Sequence, residues 1–482
     1  MGMMMHKDSE KEMSRCSTSK VLLEQFQSQK KIFSVSGASD YQTRKTHLEN
    51  LLQAIHTYTD SFGKAVSKDF GHRSTDETRL LEIIPIIQSI RYSLKRLSDW
   101  MEPSQRLLPL WFRPSKARVF PQALGVVGIV AAWNYPLQLS LLPLVAALSA
   151  GNRVMLKLSV LTPATNALLE KMLSGIFLAQ EVQVVTGGEA VFQEFIALPF
   201  DHLFFTGSVE VGKKVYRTAS QHLVPVTLEL GGKSPVIIAS QFPMQMAVDR
   251  ILTGKLLNAG QTCVAPDYLF LPKFSQSLFV EQAKRFVAKH YAHLKHNLDY
   301  TAIIDHAHFH RLKELLKDAR KKGAEIIPLA EVTIDEDKRK FIPTLVFHTD
   351  STMRLMQEEI FGPILPVLLY ENIQEVIGYI NDRPKPLALY LFDNNFQRIT
   401  EVIKRTVSGG VTVNGTLWHA AVETLPFGGV GASGIGKYHG KAGFDTFTHY
   451  KSIFIQSDFS LLSWIRPPFK KWVERLNRFL QL

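Results

Sequence analysis

From Val126 onward the chain alternates short apolar runs with longer amphipathic ones. Val126 to Ala132, Arg153 to Leu158, Val182 to Thr186, His202 to Thr206 and Val226 to Leu230 read as strands. Most positions in them are apolar, as in a sheet with helices on its faces. Between them, Ala164 to Phe177, Val191 to Leu198 and Val209 to His222 carry apolar residues at helical spacing. Strand and helix alternate in units of roughly 20 to 30 residues, the pattern of a parallel sheet covered by helices. Ahead of this unit, Val21 to about Trp100 is helical, with Leu48, Leu51, Leu52, Ile55 and Tyr58 on one face. Pro103 to Pro121, punctuated by proline and arginine, predicts a hairpin or arm that leaves the main body.

A second α/β unit begins near Ser234. It is predicted to contain a helix from Met244 to Asn258, a strand from Tyr268 to Leu271, and helices over 274–293 and 308–322. Strands over 342–347 and 364–370, a helix over 373–382, a strand over 387–392, a helix over 396–408 and a strand over 410–414 complete it. Residues 426–440 are glycine-rich and loop-like, and Phe444 to Phe454 reads as a final strand. Leu124 to Ala150 is apolar enough to resemble a membrane span. Asn134, Pro136, Gln138 and Pro143 interrupt it, which predicts a buried strand, a loop and a helix start instead.

Composition adds limits. A chain of 482 residues can bury a large core, and its 45% apolar and 21% charged content is that of a globular protein. The balance of 56 Lys and Arg against 44 Asp and Glu gives a net charge of +12. This favours anionic ligands or surfaces such as nucleotides and acidic lipids. The basic residues are scattered without interleaved aromatics, so no nucleic-acid partner is expected. Only two cysteines occur, Cys16 and Cys263, and Cys16 lies in a polar N-terminal stretch. A disulfide between them is not expected, which fits a reducing, cytoplasmic setting. The first twenty residues lack the apolar core of a secretory signal. His6 stands where N-myristoylation wants Ser or Thr.

Three runs carry chemistry. Cys263 follows Gly260-Gln261-Thr262. A thiolate there would serve as a nucleophile and would leave well from a thioester, although a lone cysteine is more often packing. Glu229 ends an apolar strand in Leu228-Glu229-Leu230-Gly231-Gly232-Lys233. It reads either as a salt-bridged carboxylate or as a general base whose pKa an apolar site has raised. Asn134 in Trp133-Asn134-Tyr135-Pro136 offers an amide N–H for an oxyanion, or a plain turn asparagine. A phosphate signal accompanies them: strand Phe204-Phe205-Thr206 runs into Gly207 and Ser208, and a helix follows with Gly212. Helix N-termini at such turns bind phosphate, yet tight turns also use glycine for steric reasons alone.

Taken together these runs resemble the NAD(P)-dependent aldehyde dehydrogenase superfamily, over residues 20 to 455. Glu358-Glu359-Ile360-Phe361-Gly362-Pro363 and Pro426-Phe427-Gly428-Gly429 extend the match. The ending Gly431 to Gly440 is similar to the class 3, fatty and coniferyl aldehyde branch. The resemblance implies two Rossmann-like parallel-sheet α/β domains, for cofactor and catalysis, plus a small β oligomerisation arm. Residues 1–20 would be a disordered tail, 21–230 the NAD(P)-binding domain with 103–121 in the arm, and 231–425 the catalytic domain. Residues 426–456 would return to the cofactor domain and the arm, and 457–482 would form an amphipathic tail.

The resemblance also assigns roles. Cys263 would attack the aldehyde, with the Asn134 amide and the Cys263 backbone N–H holding the oxyanion, and Glu229 would activate the hydrolytic water. Glu359 and Phe361 would hold the nicotinamide ribose and ring. Lys157 would bind the adenosine ribose, and Gly207, Ser208 and Gly212 would shape the pyrophosphate site. No metal is implied, and a homodimer is.

Two positions depart from the family pattern. Val160, in Lys157-Leu158-Ser159-Val160, replaces the glutamate that binds the ribose hydroxyls and repels a 2′-phosphate. NAD is the expected cofactor, with NADP admitted by Val160. Gly415 replaces a common aspartate after Asn414, with no consequence that can be read. Phe469 to Leu482 predicts a short amphipathic helix, with Trp472, Val473, Leu476, Phe479 and Leu480 on one face and basic residues flanking them. It is too short to span a bilayer and suits either the substrate mouth or an acidic membrane surface. Tyr135 and Trp418 are candidates to line the substrate funnel. The expected substrates are medium-to-long aliphatic or coniferyl-type aromatic aldehydes. The alternatives are a CoA-acylating enzyme, a thioesterase without hydride transfer, and a non-catalytic protein of the same fold.

Overall fold

The computed structural model describes residues 20–331, 336–459, 467 and 469–480. The expectations for Cys16, His6 and the N-terminal tail lie outside these residues. Helices come first: α1 over 20–36, α2 (Tyr41–Asp69) and α3 (Ile84–Met101), the last entered through a short π-helical turn, Arg79–Ile83. The predicted arm is a hairpin of β1 (Ser104–Arg106) and β2 (Lys116–Ala123).

The first α/β unit runs β3 (Val126–Val130), α4 (Gln138–Ser149), β4 (Arg153–Lys157), α5 (Pro163–Ile176), β5 (Val182–Val185) and α6 (Glu189–Ile196). It continues with β6 (His202–Gly207), α7 (Val209–Ser220) and β7 (Val226–Leu230). The second unit runs β8 (Pro235–Ile238), α8 (Met244–Leu256), β9 (Tyr268–Pro272), α9 (Gln276–His290), α10 (His306–Lys321) and β10 (Glu325–Pro328). It ends in β11 (Thr344–Phe347), β12 (Ile364–Tyr370), α11 (Ile373–Asn381), β13 (Ala388–Phe392), α12 (Phe396–Arg405) and β14 (Gly410–Val413). The chain then supplies β15 (Gly434–Ile435), α13 (Gly440–Thr446), β16 (Thr448–Ile455) and α14 (Lys470–Leu480).

Two Rossmann-like sheets result. The first has the order β15-β7-β6-β3-β4-β5, parallel except for β15. The second has the order β10-β11-β12-β9-β8-β13-β14, parallel except for β10. A small antiparallel sheet, β1-β2-β16, joins the hairpin to the end of the chain. Every residue of β3 and β8 is buried, as strands covered on both faces require. The apolar stretch through Ala150 folds as β3, a turn and the buried helix α4. Among the described residues no helix is long and apolar enough to cross a membrane.

Three expectations are corrected. The helix that delivers Cys263 ends at Leu256 rather than Asn258, because Asn258 and Ala259 take left-handed φ of 52° and 50°. The last strand begins at Thr448 rather than Phe444. Phe444 belongs to α13 and packs its ring 5.4 Å from that of Trp100. Strands β8 and β10 are additional; each has four residues with proline at one end, too little for a periodic signal. Phe469, just before α14, and Val473 and Phe479 on it are exposed. The side chains of Trp472, Leu476 and Leu480 lie outside the described residues.

Candidate active site

The first sheet grows outward from β3 to β4 and β5, and the chain then returns to place β6 on the other side of β3. Ligands of such sheets bind at the carboxyl ends of the strands where the direction of growth reverses. A cleft of about 1500 Å³ opens there and reaches the segments that precede β9 and β12. Asn134, Lys157, Gly207, Ser208, Glu229, Cys263, Glu359 and Phe361 all line it, as does Val160. Gly212 does not. It sits in the first turn of α7, where an added Cβ would lie 2.5 Å from the Leu230 side chain. Gly212 therefore lets α7 pack tightly on β7.

The thiol is delivered by a bend. After α8, residues 258–260 all have positive φ, with Gly260 at 76°. A Cβ at Gly260 would lie 2.5 Å from the Gly362 carbonyl oxygen, so only glycine fits this step. The buried Gln261 side chain pins the far side of the bend. It donates to the carbonyls of Asn258 (3.0 Å) and Ala302 (3.1 Å) and accepts from the Ile304 N–H (2.9 Å). The Asn134 side chain, 3% exposed, donates to the Gln261 carbonyl at 3.1 Å. The amide carries a second hydrogen, and Asn134 lines the cleft together with Cys263. Tyr135 is buried with its hydroxyl 2.7 Å from Thr262 Oγ1, whereas Trp418 is 65% exposed.

Glu229 lies at the end of β7 and is only 4% exposed. Neither carboxyl oxygen has a hydrogen-bond partner. Burial pushes this carboxyl well above the ordinary range, because nothing nearby compensates the lost hydration of the charged form. The Cys263 thiol is pushed up to about 12, first by burial and then by the negative charges of Glu359 and Glu229. Those two charges act on it only because all three groups share the cleft.

Glu359 reaches the cleft over Gly231, where any Cβ would lie 1.9 Å from Glu359 Oε2. Its carboxyl is raised to about 8 by burial and by Asp267, against the Gly232 N–H, Lys233 and Arg311. The backbone around it is fixed on both sides. Arg311 donates to the carbonyls of Glu359 and Ile360, Asp267 accepts from the Ile360 N–H at 2.9 Å, and Lys233 pairs with Asp267. Phe361, at φ 53°, sets its ring 5.4 Å from Trp133. Lys157 Nζ donates to the carbonyls of Leu158 and Gly187, both at 2.8 Å, and burial lowers it to about 8.

This lining fits a nicotinamide dinucleotide. The N-terminus of α7, where Ser208 Oγ accepts from the Val211 N–H, suits a pyrophosphate, and Lys157, Glu359 and Phe361 line the same cleft. The orphaned Glu229 carboxyl and Thr206 Oγ1 show that the polar lining is not satisfied by the protein alone.

The aldehyde dehydrogenase family model matches residues 12–453. This chain belongs to the aldehyde dehydrogenase family. It is an enzyme that oxidises aldehydes with a nicotinamide cofactor. It is 48% identical to a probable coniferyl aldehyde dehydrogenase of Pseudomonas aeruginosa over 86% of each chain. Among solved structures, Staphylococcus aureus AldH in its substrate-bound state aligns with a TM-score of 0.90. That pair shares 40% identity, over 95% of this chain and 99% of the other. A Mycobacterium tuberculosis aldehyde dehydrogenase complexed with NAD+ aligns with a TM-score of 0.77. It is 26% identical, over 86% of each chain.

Some lining residues of this aldehyde dehydrogenase gave no signal in the sequence. His308 bonds Asp305 at 2.8 Å, sets its ring 5.0 Å from Trp133 and lines the cleft, yet in sequence it is one histidine in a helical run. Arg311 looks like a solvent-facing helix residue until its two carbonyl contacts are seen.

A thiol raised to about 12 is protonated throughout the neutral range. Alkylation of Cys263 by iodoacetamide without cofactor, read on its own peptide by mass spectrometry, is expected to rise about tenfold per pH unit from about pH 7 to 10. A plateau near neutrality would contradict this.

Proposed function

We propose that this enzyme oxidises coniferyl-type aromatic and medium-to-long aliphatic aldehydes to carboxylic acids through a thioester on Cys263. The observation that carries the reading is the buried, unpartnered Glu229 carboxyl in the same cleft as the Cys263 thiol. Cys263 gives up its thiol proton to solvent and forms a C–S bond to the aldehyde carbon, and the carbonyl oxygen takes the resulting charge. The second Asn134 amide hydrogen and the Cys263 backbone N–H donate to that oxygen. A nicotinamide held by Glu359 and Phe361 would supply the hydride acceptor for the same carbon. Glu229 then takes a proton from water as the water oxygen adds to the thioester. The C–S bond breaks and the acid leaves with the thiol restored.

Burial raises Glu229 and so strengthens its ionised form as a base. Such a base is wasted if CoA removes the acyl group, which argues against the acylating alternative. The substrate class follows from the coniferyl relative and from the class 3 ending at Gly431–Gly440. Phe120 and Phe454 of the β1-β2-β16 sheet and Leu107, Leu110 and Trp111 of the β1–β2 connection are exposed, a surface that fits a homodimer. Helix α14, cationic with exposed Val473 and Phe479 and with exposed Phe469 just before it, fits contact with an anionic membrane surface.

NAD is the proposed cofactor, with NADP also used. Val160 is 56% exposed on the cleft wall and can neither bond a ribose hydroxyl nor repel a 2′-phosphate. One charge-assisted hydrogen bond is worth about 1.5–3 kcal/mol.

Coniferyl aldehyde and a saturated long-chain aldehyde are each expected to generate NADH without CoA, and added CoA is expected to leave the rate unchanged. The Glu229→Gln enzyme should release about one NADH per site in a burst and then turn over about 10²–10⁴-fold more slowly. In the parent enzyme the hydrolytic rate should rise with pH through an apparent pKa above the usual carboxylate range, since only the ionised form is a base. CoA-dependent turnover, or unchanged steady-state activity of Glu229→Gln, would overturn the reading. For the cofactor, Val160→Glu should raise the NAD to NADP ratio of kcat/KM about tenfold or more. A parent enzyme that already rejects NADP strongly would contradict the role given to Val160.

A further inference from the structure

A buried ionic cluster lies behind the catalytic loops, and no step of the proposed reaction uses it. Arg73 is fully buried in the loop that follows α2. Its Nη1 donates to Glu82 Oε1 at 3.0 Å and to the backbone carbonyl of Asn134 at 3.3 Å. Its Nε lies 3.8 Å from Glu77 Oε2, and Nε and Nη2 have no hydrogen-bond partner. The guanidinium is held between two rings, with its carbon 5.3 Å from the Phe70 centroid and 4.9 Å from that of Tyr135.

The two carboxylates of the cluster do not merely balance this charge. Glu82 Oε2 accepts the backbone N–H groups of Leu137 and Gln138, at 2.8 and 3.2 Å, and so holds the segment just after Asn134. Glu77 Oε1 accepts the Asn258 N–H at 2.5 Å, at the first left-handed residue of the bend that leads to Cys263. The Asn258 side chain closes the circuit by donating to the Asn134 carbonyl at 2.9 Å and to the Gln261 carbonyl at 3.1 Å. One cation and two carboxylates therefore tie the two backbone segments that carry the oxyanion donors.

We infer that Arg73 is a positioning residue for the oxyanion site: with Glu77 and Glu82 it fixes the Asn134 segment against the Cys263 bend, so that the Asn134 amide meets the developing oxyanion. A plain fold-stabilising ion pair would not need its cation on the Asn134 carbonyl, nor its anion on the Asn258 N–H. Buried ion pairs contribute little net stability compared with apolar packing of the same volume, so stability alone is a poor reason for this cluster. Geometry is a better one, since displacing a catalytic group by about 1 Å costs about 10²-fold in rate.

The inference rests on the oxyanion role proposed for Asn134, and the test separates the two. Arg73→Lys, Arg73→Met, Asn134→Ala and the double variant Arg73→Met/Asn134→Ala are assayed with coniferyl aldehyde and NAD. Rates are expressed per folded protein, measured by near-UV circular dichroism. Asn134→Ala alone should lower kcat about 10²–10³-fold. Arg73→Met should lower kcat about 10–10²-fold with KM changed by less than about threefold. Arg73→Lys should lie between it and the parent. In the Asn134→Ala background, Arg73→Met should cost less than about twofold more, because the donor it positions is gone. Equal losses in both backgrounds, or a parent-like kcat for Arg73→Met, would overturn the inference while leaving the Asn134 reading in place. Loss of the fold in both Arg73 variants would assign the cluster to stability and overturn it too. Parent-like activity of Asn134→Ala would instead remove the reading on which it stands.

Discussion

Taking a carboxyl group out of water with nothing to bond it is among the costliest things a fold can do at one position. Glu229 is held in that state at the end of a strand, with both oxygens unpartnered. Its strand is paired on both sides, to Thr206 in β6 and to Gly434 in β15, so the backbone cannot relax to carry the side chain to solvent. The desolvation that raises Glu229 also raises Cys263 in the same cleft, and the charges of Glu359 and Glu229 raise Cys263 further. The site thus holds Cys263 as the thiol and disfavours the charged form of Glu229. Chemistry requires a bound partner that changes this balance, and the size and lining of the cleft supply room for one.

Both sheets contribute to the cleft. Glu229 and Gly207 end strands of the first sheet, whereas Cys263 and Glu359 precede strands of the second. Segments at strand ends have few ladder hydrogen bonds of their own, and here side chains replace them. Gln261 ties the bend before Cys263, Arg311 and Asp267 tie the backbone of Glu359 and Ile360, and Glu82 holds the turn after Asn134. Three glycines matter for a specific reason: Gly260 for its left-handed φ against the Gly362 carbonyl, Gly231 for the approach of Glu359, and Gly212 for the packing of α7 on β7.

Much of this was legible in the chain. Apolar runs marked β3 to β7, and the motif runs around Asn134, Glu229 and Cys263 named residues that share one cleft. Residues whose work is done through the backbone left no such mark. Arg73, Gln261 and Arg311 act on carbonyl and amide groups, which every residue possesses, so no residue pattern announces the contact. Helical periodicity carried the α8 prediction two residues too far, because a left-handed Asn258 is set by tertiary hydrogen bonds rather than by local propensity. The same limit hid β8 and β10, which are short and flanked by proline.

The central claim is that one sulfur atom carries the acyl group between oxidation and hydrolysis. It is tested most directly by acid-quenching the Glu229→Gln enzyme with coniferyl aldehyde and NAD and mapping its peptides by mass spectrometry. The account predicts a hydroxylamine-labile acyl adduct on the Cys263 peptide, formed only with both reactants present. Acid product released with Cys263 unmodified at every quench time would contradict it.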